Sequence, residues 1–329
     1  MNAIGNSPAY AVRQWRFSAE QGKWIMLTAQ QVEREAGNVN KSTLRMVTYN
    51  VWFGEHARTI RIRAILSMLP ELDADVVCIQ EATDEWIAEM TNNPYVQKHY
   101  TVSDVDGRTL RGYGVVMLSR LPMTKLAMWW LPSNMGRSAL IATSTINNET
   151  VSIGTVHLES LDQAPYREKQ LEIIAGALKS STHAGLMGDF NFDSERNHNP
   201  ELHRNSRLMR KTEHEPCSTH PLENEALARL YPEYVDVWAE LHPDLRGLTF
   251  DTGVNRMISG NEQMRYDRVM WKSGRGSGAP GPSKCSEPSR YEAFRSELTA
   301  RWRVFLTQTV WPSDHFGLFT ELEYHRPSE

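Results

Sequence analysis

The sequence predicts an α/β protein of packed β-sheets with helices on the outside. Short apolar runs separated by turn residues begin at Leu44 and read as buried or half-buried strands. These runs outnumber the segments with helical spacing. The helical segments fall between groups of strands without strict alternation, which argues against a doubly wound parallel sheet.

The first 42 residues are polar and weakly periodic, and they read as an N-terminal extension. Trp15 and Trp24 within it predict that part of it is ordered against the main body. Strands are expected over residues 44–51, 75–80, 114–118, 139–144, 151–157 and 185–187. A helix is expected over 60–69, with Ile62, Ile65, Leu66 and Leu69 on one face, and another over 166–178, with Leu171, Ile174 and Leu178. Residues 194–226 are polar without a sustained period, and 273–290 are rich in Gly and Pro. Both read as surface insertions in one domain spanning 43–325.

The composition bounds the function. A chain of 329 residues with 40% hydrophobic and 23% charged residues is globular rather than disordered. At about 150 residues per domain it holds one or two domains. A net charge of −4 argues against a protein that coats long nucleic acids, which needs a strongly basic surface. It leaves room for one that grips a few phosphates at a strand end. Three cysteines, Cys78, Cys217 and Cys285, build no disulfide framework and point to a reducing compartment. With no long apolar stretch and no apolar leader core in residues 1–20, the expected location is intracellular, in nucleus or cytoplasm, without membrane association.

Polar residues gather at the strand ends. One strand ends on Asn50, the next on Gln80-Glu81, another on His157-Leu158-Glu159-Ser160. Gly188-Asp189-Phe190-Asn191 follows a fourth, with Asp189 and Asn191 on one side if the backbone stays extended. Asp267 opens a strand and Ser313-Asp314-His315 precedes the last one. Taken singly, each has an ordinary reading as a turn residue, a helix cap or a hydrogen-bonded core histidine. Together they supply carboxylates, asparagines and histidines, the inventory for hard-metal phosphate chemistry.

As an ordered set these motifs resemble the endonuclease/exonuclease/phosphatase superfamily with its deoxyribonuclease I-like fold. Within it, His157-Leu158-Glu159-Ser160, Asp236-Val237-Trp238 and Thr249-Phe250-Asp251-Thr252 are similar to motifs of the tyrosyl-DNA phosphodiesterase 2 family. The resemblance implies a four-layer α-β-β-α sandwich of two mixed sheets with outer helices. It implies Glu81 as the main ligand of Mg²⁺, with Mn²⁺ as a substitute, and Asp189 as the acid/base that activates water. Asn50 and Asn191 would orient phosphate or water, and His157 and His315 would contact the scissile phosphate. Asp267 would buttress a histidine, and Asp314 would lie in the metal's outer shell. Tyr113, Phe250 and Tyr266 would form an aromatic platform, with Arg137 and Ser160 as further phosphate contacts.

The implied activity is hydrolysis of a phosphodiester at a nucleic-acid 5′ end, above all a 5′-phosphotyrosyl linkage to DNA or RNA, by a monomer acting on single-stranded ends. The alternatives are another nuclease or phosphatase of the superfamily, or a binding module that kept the fold without the chemistry. This chain departs from the family pattern at two places. Trp52 stands where the family carries an Asp near the metal, and Phe192-Asp193 where it carries Leu-Arg. Asp193 is therefore expected to repel a substrate phosphate.

Overall fold

In a computed structural model, residues 9–194, 223–274, 280–285 and 310–324 are described. Most of the predicted insertion at 194–226, including Arg196, His198, Arg204, Arg207 and Arg210, lies outside the described residues. So do Cys217 and much of 273–290.

Two large sheets carry the fold. The first orders its strands as Tyr10–Ala11, Lys125–Trp130, Ser138–Ile146, Glu149–His157, His183–Asp189, Asp267–Lys272 and Val235–Asp236. The second runs Pro280–Cys285, Leu318–Tyr324, Thr43–Asn50, Val76–Ala82, Gly114–Ser119, Thr101–Val102, Trp15–Ser18 and Lys23–Met26. Each is mixed. Glu149–His157 pairs in parallel with His183–Asp189, and Thr43–Asn50 with Val76–Ala82, while their other neighbours are antiparallel. The segment before residue 42 adds strands to both sheets, and Trp15 and Trp24 pack at the margin of a core cluster.

Side-chain alternation along the strands separates three apolar clusters. Leu44, Met46, Val76, Cys78, Val151, Ile153, Met187, Val269 and Trp271 lie between the sheets. Val47, Tyr49, Val77 and Ile79 instead meet Ile62, Ile65, Leu66 and Leu69 of the helix Arg58–Leu72. Ala139, Ile141, Val156, Ala184 and Leu186 meet Leu171, Ile174 and Leu178 of the helix Ala164–Leu178. Helix, sheet, sheet and helix thus stack in the expected four layers. Burying apolar area at roughly 25 cal/mol per Å² in all three interlayer spaces holds the strand ends rigid.

The alternation also decides what faces the cleft at the strand ends. Continuing the inward positions along each strand leads from Met46 to Thr48 and Asn50, from Cys78 to Gln80, from Ile153 to Thr155 and His157, and from Met187 to Asp189. On the strand Asp267–Lys272 the same parity points Asp267 inward with Val269 and Trp271. Register then sets these residues side by side: His157 opposite Asp189, Asp189 opposite Asp267, and Asn50 opposite Gln80.

Candidate active site

Asp189 sits at the centre, almost fully buried. The amide of Asn50 bridges the sheets, donating to Asp189 Oδ2 at 2.9 Å and to Glu81 Oε1 at 3.2 Å. His157 Nε2 lies 3.4 Å from Asp189 Oδ2 and 3.9 Å from Glu81 Oε1. On the other side His315 Nε2 stands 3.8 Å from Asp189 Oδ2, while its Nδ1 is 2.7 Å from Asp267 Oδ2. Asp267 is held by Thr249, whose hydroxyl oxygen accepts from the Asp267 and Tyr266 amides. Below the site Gln80 donates to Thr155 Oγ1 and Thr48 Oγ1, tying one sheet to the other.

Glu81 reaches the cleft by a local irregularity. Strict alternation would turn it outward after Ile79, but the pairing with Gly114–Ser119 shifts register between Ile79 and Ala82. Glu81 itself takes φ 60°, in the left-handed region that costs a non-glycine residue free energy. The backbone N–H of Phe53 donates to Glu81 Oε2 at 2.8 Å. Trp52 and Asn191 also sit at positive φ, so backbone strain is concentrated at this rim. At Gly188 the requirement is absolute: φ is +139°, and a Cβ there would come 1.9 Å from the Val156 carbonyl oxygen.

The expected extended path through Asp189 and Asn191 is not followed. The chain turns after Asp189, the Asn191 N–H caps Asp189 Oδ1 at 2.8 Å, and the Asn191 amide donates to the Leu158 carbonyl. Ser313 Oγ donates to the Asn50 carbonyl at 2.6 Å and lies 3.1 Å from Asp314 Oδ1. Arg137, Tyr113 and Ser160 form a group beside His157, with guanidinium contacts of 3.2 Å to Tyr113 Oη and 2.6 Å to Ser160 Oγ. Glu159, fully buried, accepts from Ser133 Oγ and the Asn134 N–H and so fixes the loop that carries Arg137. Phe250 and Tyr266 flank His315 with ring centroids 5.2 and 6.3 Å from it.

Several contributors escaped the sequence reading. Phe53, 44% exposed, stacks on Tyr113 with centroids 4.6 Å apart and planes 4° from parallel. Arg61, buried, donates to the carbonyls of Val51, Trp52, Gly54 and His56 and lies 4.4 Å from the Trp52 ring. No motif marks either residue. Trp52 thus packs on Arg61 instead of supplying a carboxylate. Asp193, expected to face a substrate phosphate, is instead buried and accepts from the Arg265 N–H at 2.9 Å.

Burial and neighbouring charge divide the titratable groups. Burial raises Glu81 to about 7, and the nearby Asp314 carboxylate adds to the rise. Burial likewise raises Asp314. Burial opposes ionisation of Asp189 as well, yet His157, His315 and the Asn50 and Asn191 donors outweigh it and lower its pKa. Burial, with Arg137 next, lowers His157 to about 3. His315 is also penalised by burial, but Asp267, Asp189 and Asp314 hold it well above the usual imidazole range. Asp267 rises to about 6 through burial, opposed by His315.

Two sets of residues invite a cation. Asp189, Asp267 and His315 bring ligand-type atoms within 4.8 Å of one another. In this set His315 Nδ1 is already engaged by Asp267 Oδ2 at 2.7 Å. The second set is Glu81 with Asp314: burial and the Asp314 carboxylate raise the pKa of Glu81, burial raises that of Asp314, and a divalent cation supplies the counter-charge that such carboxylates lack.

Asp189 thus stands between His157 and His315 at the strand ends of the two packed sheets. The family model for the endonuclease/exonuclease/phosphatase family matches residues 47–315, and the chain belongs to that family. Among solved structures it is similar to D. rerio TDP2 in complex with a single-strand DNA product, at 19% identity and TM-score 0.60, covering 86% of this chain and 100% of that one. It is similar to truncated Caenorhabditis elegans TDP2 at 17% identity and TM-score 0.59, covering 85% and 97%. The human Nocturnin catalytic domain with bound sulfate shares 13% identity at TM-score 0.55, covering 88% and 96%. No curated protein matches the chain in sequence. The described residues contain no helix long and apolar enough to cross a membrane.

Proposed function

We propose that the chain is a Mg²⁺-dependent phosphodiesterase that hydrolyses a 5′-phosphotyrosyl linkage at a single-stranded nucleic-acid end and leaves a 5′ phosphate. The observation that carries the reading is the placing of Asp189, held ionised, between His157 and His315 and joined through Asn50 to Glu81. Asp189 takes a proton from the attacking water. Asn50 and the Asn191 N–H keep its lone pairs oriented. His315, protonated against Asp267, places positive charge where the non-bridging phosphoryl oxygens gain negative charge. Glu81, with Asp314 behind it, would hold the cation, which when bound neutralises the phosphoryl oxygens and the leaving oxygen. The bond from phosphorus to the tyrosyl oxygen breaks as the bond to water forms.

The aromatic walls support a substrate with unstacked bases or an aromatic adduct. Phe53 on Tyr113 forms one side and Phe250 with Tyr266 the other, and stacking on such surfaces contributes about 1–3 kcal/mol per base. Intracellular repair of such ends fits the reading. The test is release of a 5′ phosphate from a 5′-tyrosyl oligonucleotide, expected to be lost with EDTA and in Asp189→Asn. Inactivity on that substrate alongside metal-dependent cleavage of an abasic duplex or poly(A) would overturn the substrate while keeping the hydrolytic chemistry.

A further inference from the structure

The two histidines that flank Asp189 are supported differently. His315 Nδ1 faces a carboxylate, Asp267. His157 Nδ1 faces a guanidinium: Arg137 Nη1 lies 3.0 Å from it. A guanidinium has only donors, so this contact is a hydrogen bond only when His157 Nδ1 is the unprotonated acceptor. The ring proton then resides on Nε2, the atom directed at Asp189 Oδ2 and Glu81 Oε1.

Arg137 is built to hold that position. Its side chain is almost fully buried, its second guanidinium nitrogen donates to Ser160 Oγ at 2.6 Å, and its first also contacts Tyr113 Oη. Its backbone N–H is received by Ser133 Oγ, which in turn donates to the buried Glu159. The Tyr113 ring lies 5.5 Å from the guanidinium carbon.

We propose that Arg137 is a positioning residue that fixes His157 as the neutral Nε2–H tautomer. His157 then presents Nε2–H to the cleft beside Asp189 as a hydrogen-bond donor. The proposal deepens the phosphodiesterase reading, but its central test needs no substrate.

Long-range ¹H–¹⁵N correlation spectra of the full chain labelled at histidine, with the His157 signals assigned from their loss in His157→Asn, report the tautomer directly. The wild type is expected to show a pyridine-type Nδ1 and a pyrrole-type Nε2. Arg137→Met is expected to shift these signals towards the mixture of tautomers, with kcat reduced about 10- to 100-fold, as for other residues that orient a reacting group. Arg137→Lys, which retains a cationic donor, should restore the wild-type nitrogen pattern. A protonated Nδ1 in the wild type overturns the proposal even if no variant folds. So does an unchanged nitrogen pattern in a folded Arg137→Met whose KM alone has risen, which would make Arg137 a direct substrate contact. Absence of phosphotyrosyl cleavage with the expected nitrogen pattern would instead count against the substrate assignment.

Discussion

Replacing Asn50 with Ala tests the link between the two sheets. The Asn50 amide donates to two carboxylates, the buried Asp189 at 2.9 Å and the partly buried Glu81 at 3.2 Å. A hydrogen bond to a charged group contributes roughly 1.5–3 kcal/mol, and one pKa unit corresponds to about 1.36 kcal/mol. Loss of the shorter bond should therefore raise the pKa of Asp189 by about 1–2 units. The folded pKa of Asp189 is lowered, so its stabilising effect is present above the unfolded value and fades as pH falls through the folded one. In Asn50→Ala that fading begins at higher pH. The same displacement should move the acid limb of kcat/KM upward by about 1–2 units, measured on a 5′-tyrosyl oligonucleotide at saturating Mg²⁺ and fixed ionic strength. An unmoved acid limb with a lower plateau would refute the reasoning, because Asn50 would then act on the substrate alone and not through Asp189.

Three further substitutions separate chemistry, binding and folding. Asp189→Asn should lower kcat by about 10²- to 10⁴-fold, the usual range for a general base, with an unchanged circular dichroism spectrum. Phe53→Ala should raise KM for a single-stranded substrate about 5- to 100-fold, the equivalent of one lost stacking contact, with little change in kcat. A kcat effect without a KM effect would place Phe53 in support of Glu81 rather than in substrate binding. Gly188→Ala should abolish soluble expression or lower Tm sharply, since its Cβ would press on the Val156 carbonyl oxygen beside the paired His157 and Asp189; wild-type stability in this variant would contradict the close approach.

Much of this site was legible because period-2 alternation does two jobs at once. The rule that sends Met46, Cys78, Ile153 and Met187 between the sheets also sends Asn50, Gln80, His157 and Asp189 into the cleft above them, so polar strand ends read from the sequence converge without any knowledge of contacts. Alternation alone does not explain the positions where the backbone leaves that period. Glu81 faces inward only because a register shift and a positive φ turn it, and nothing in Gln80-Glu81-Ala82 announces a bulge. Strands as short as Tyr10–Ala11 and Lys23–Met26 are too brief to show a period. Tyr10–Ala11 is placed by pairing with Met128 and Ala127 far along the chain, and Lys23–Met26 by a local hairpin with Trp15–Ser18.

The two departures from the family pattern carry the same lesson about side-chain direction. Asp193 looked hostile to a phosphate as a letter in a motif, yet its carboxylate turns inward to the Arg265 amide. Arg265 in turn reaches Asp236 at 2.8 Å, and the Asp193 carboxylate lies near the buried Arg268, whose charged form it favours. Trp52 likewise replaces a carboxylate without placing an apolar group on Glu81. Its ring covers Arg61, and only its backbone N–H, bonded to Asn50 Oδ1 at 3.0 Å, touches the site. A carboxylate removed at position 52 therefore leaves the positioning of Asn50 intact. In the proposed reading a cation would then be held by Glu81 with Asp314 behind it, since burial opposes the ionisation of both and a bound cation would favour it.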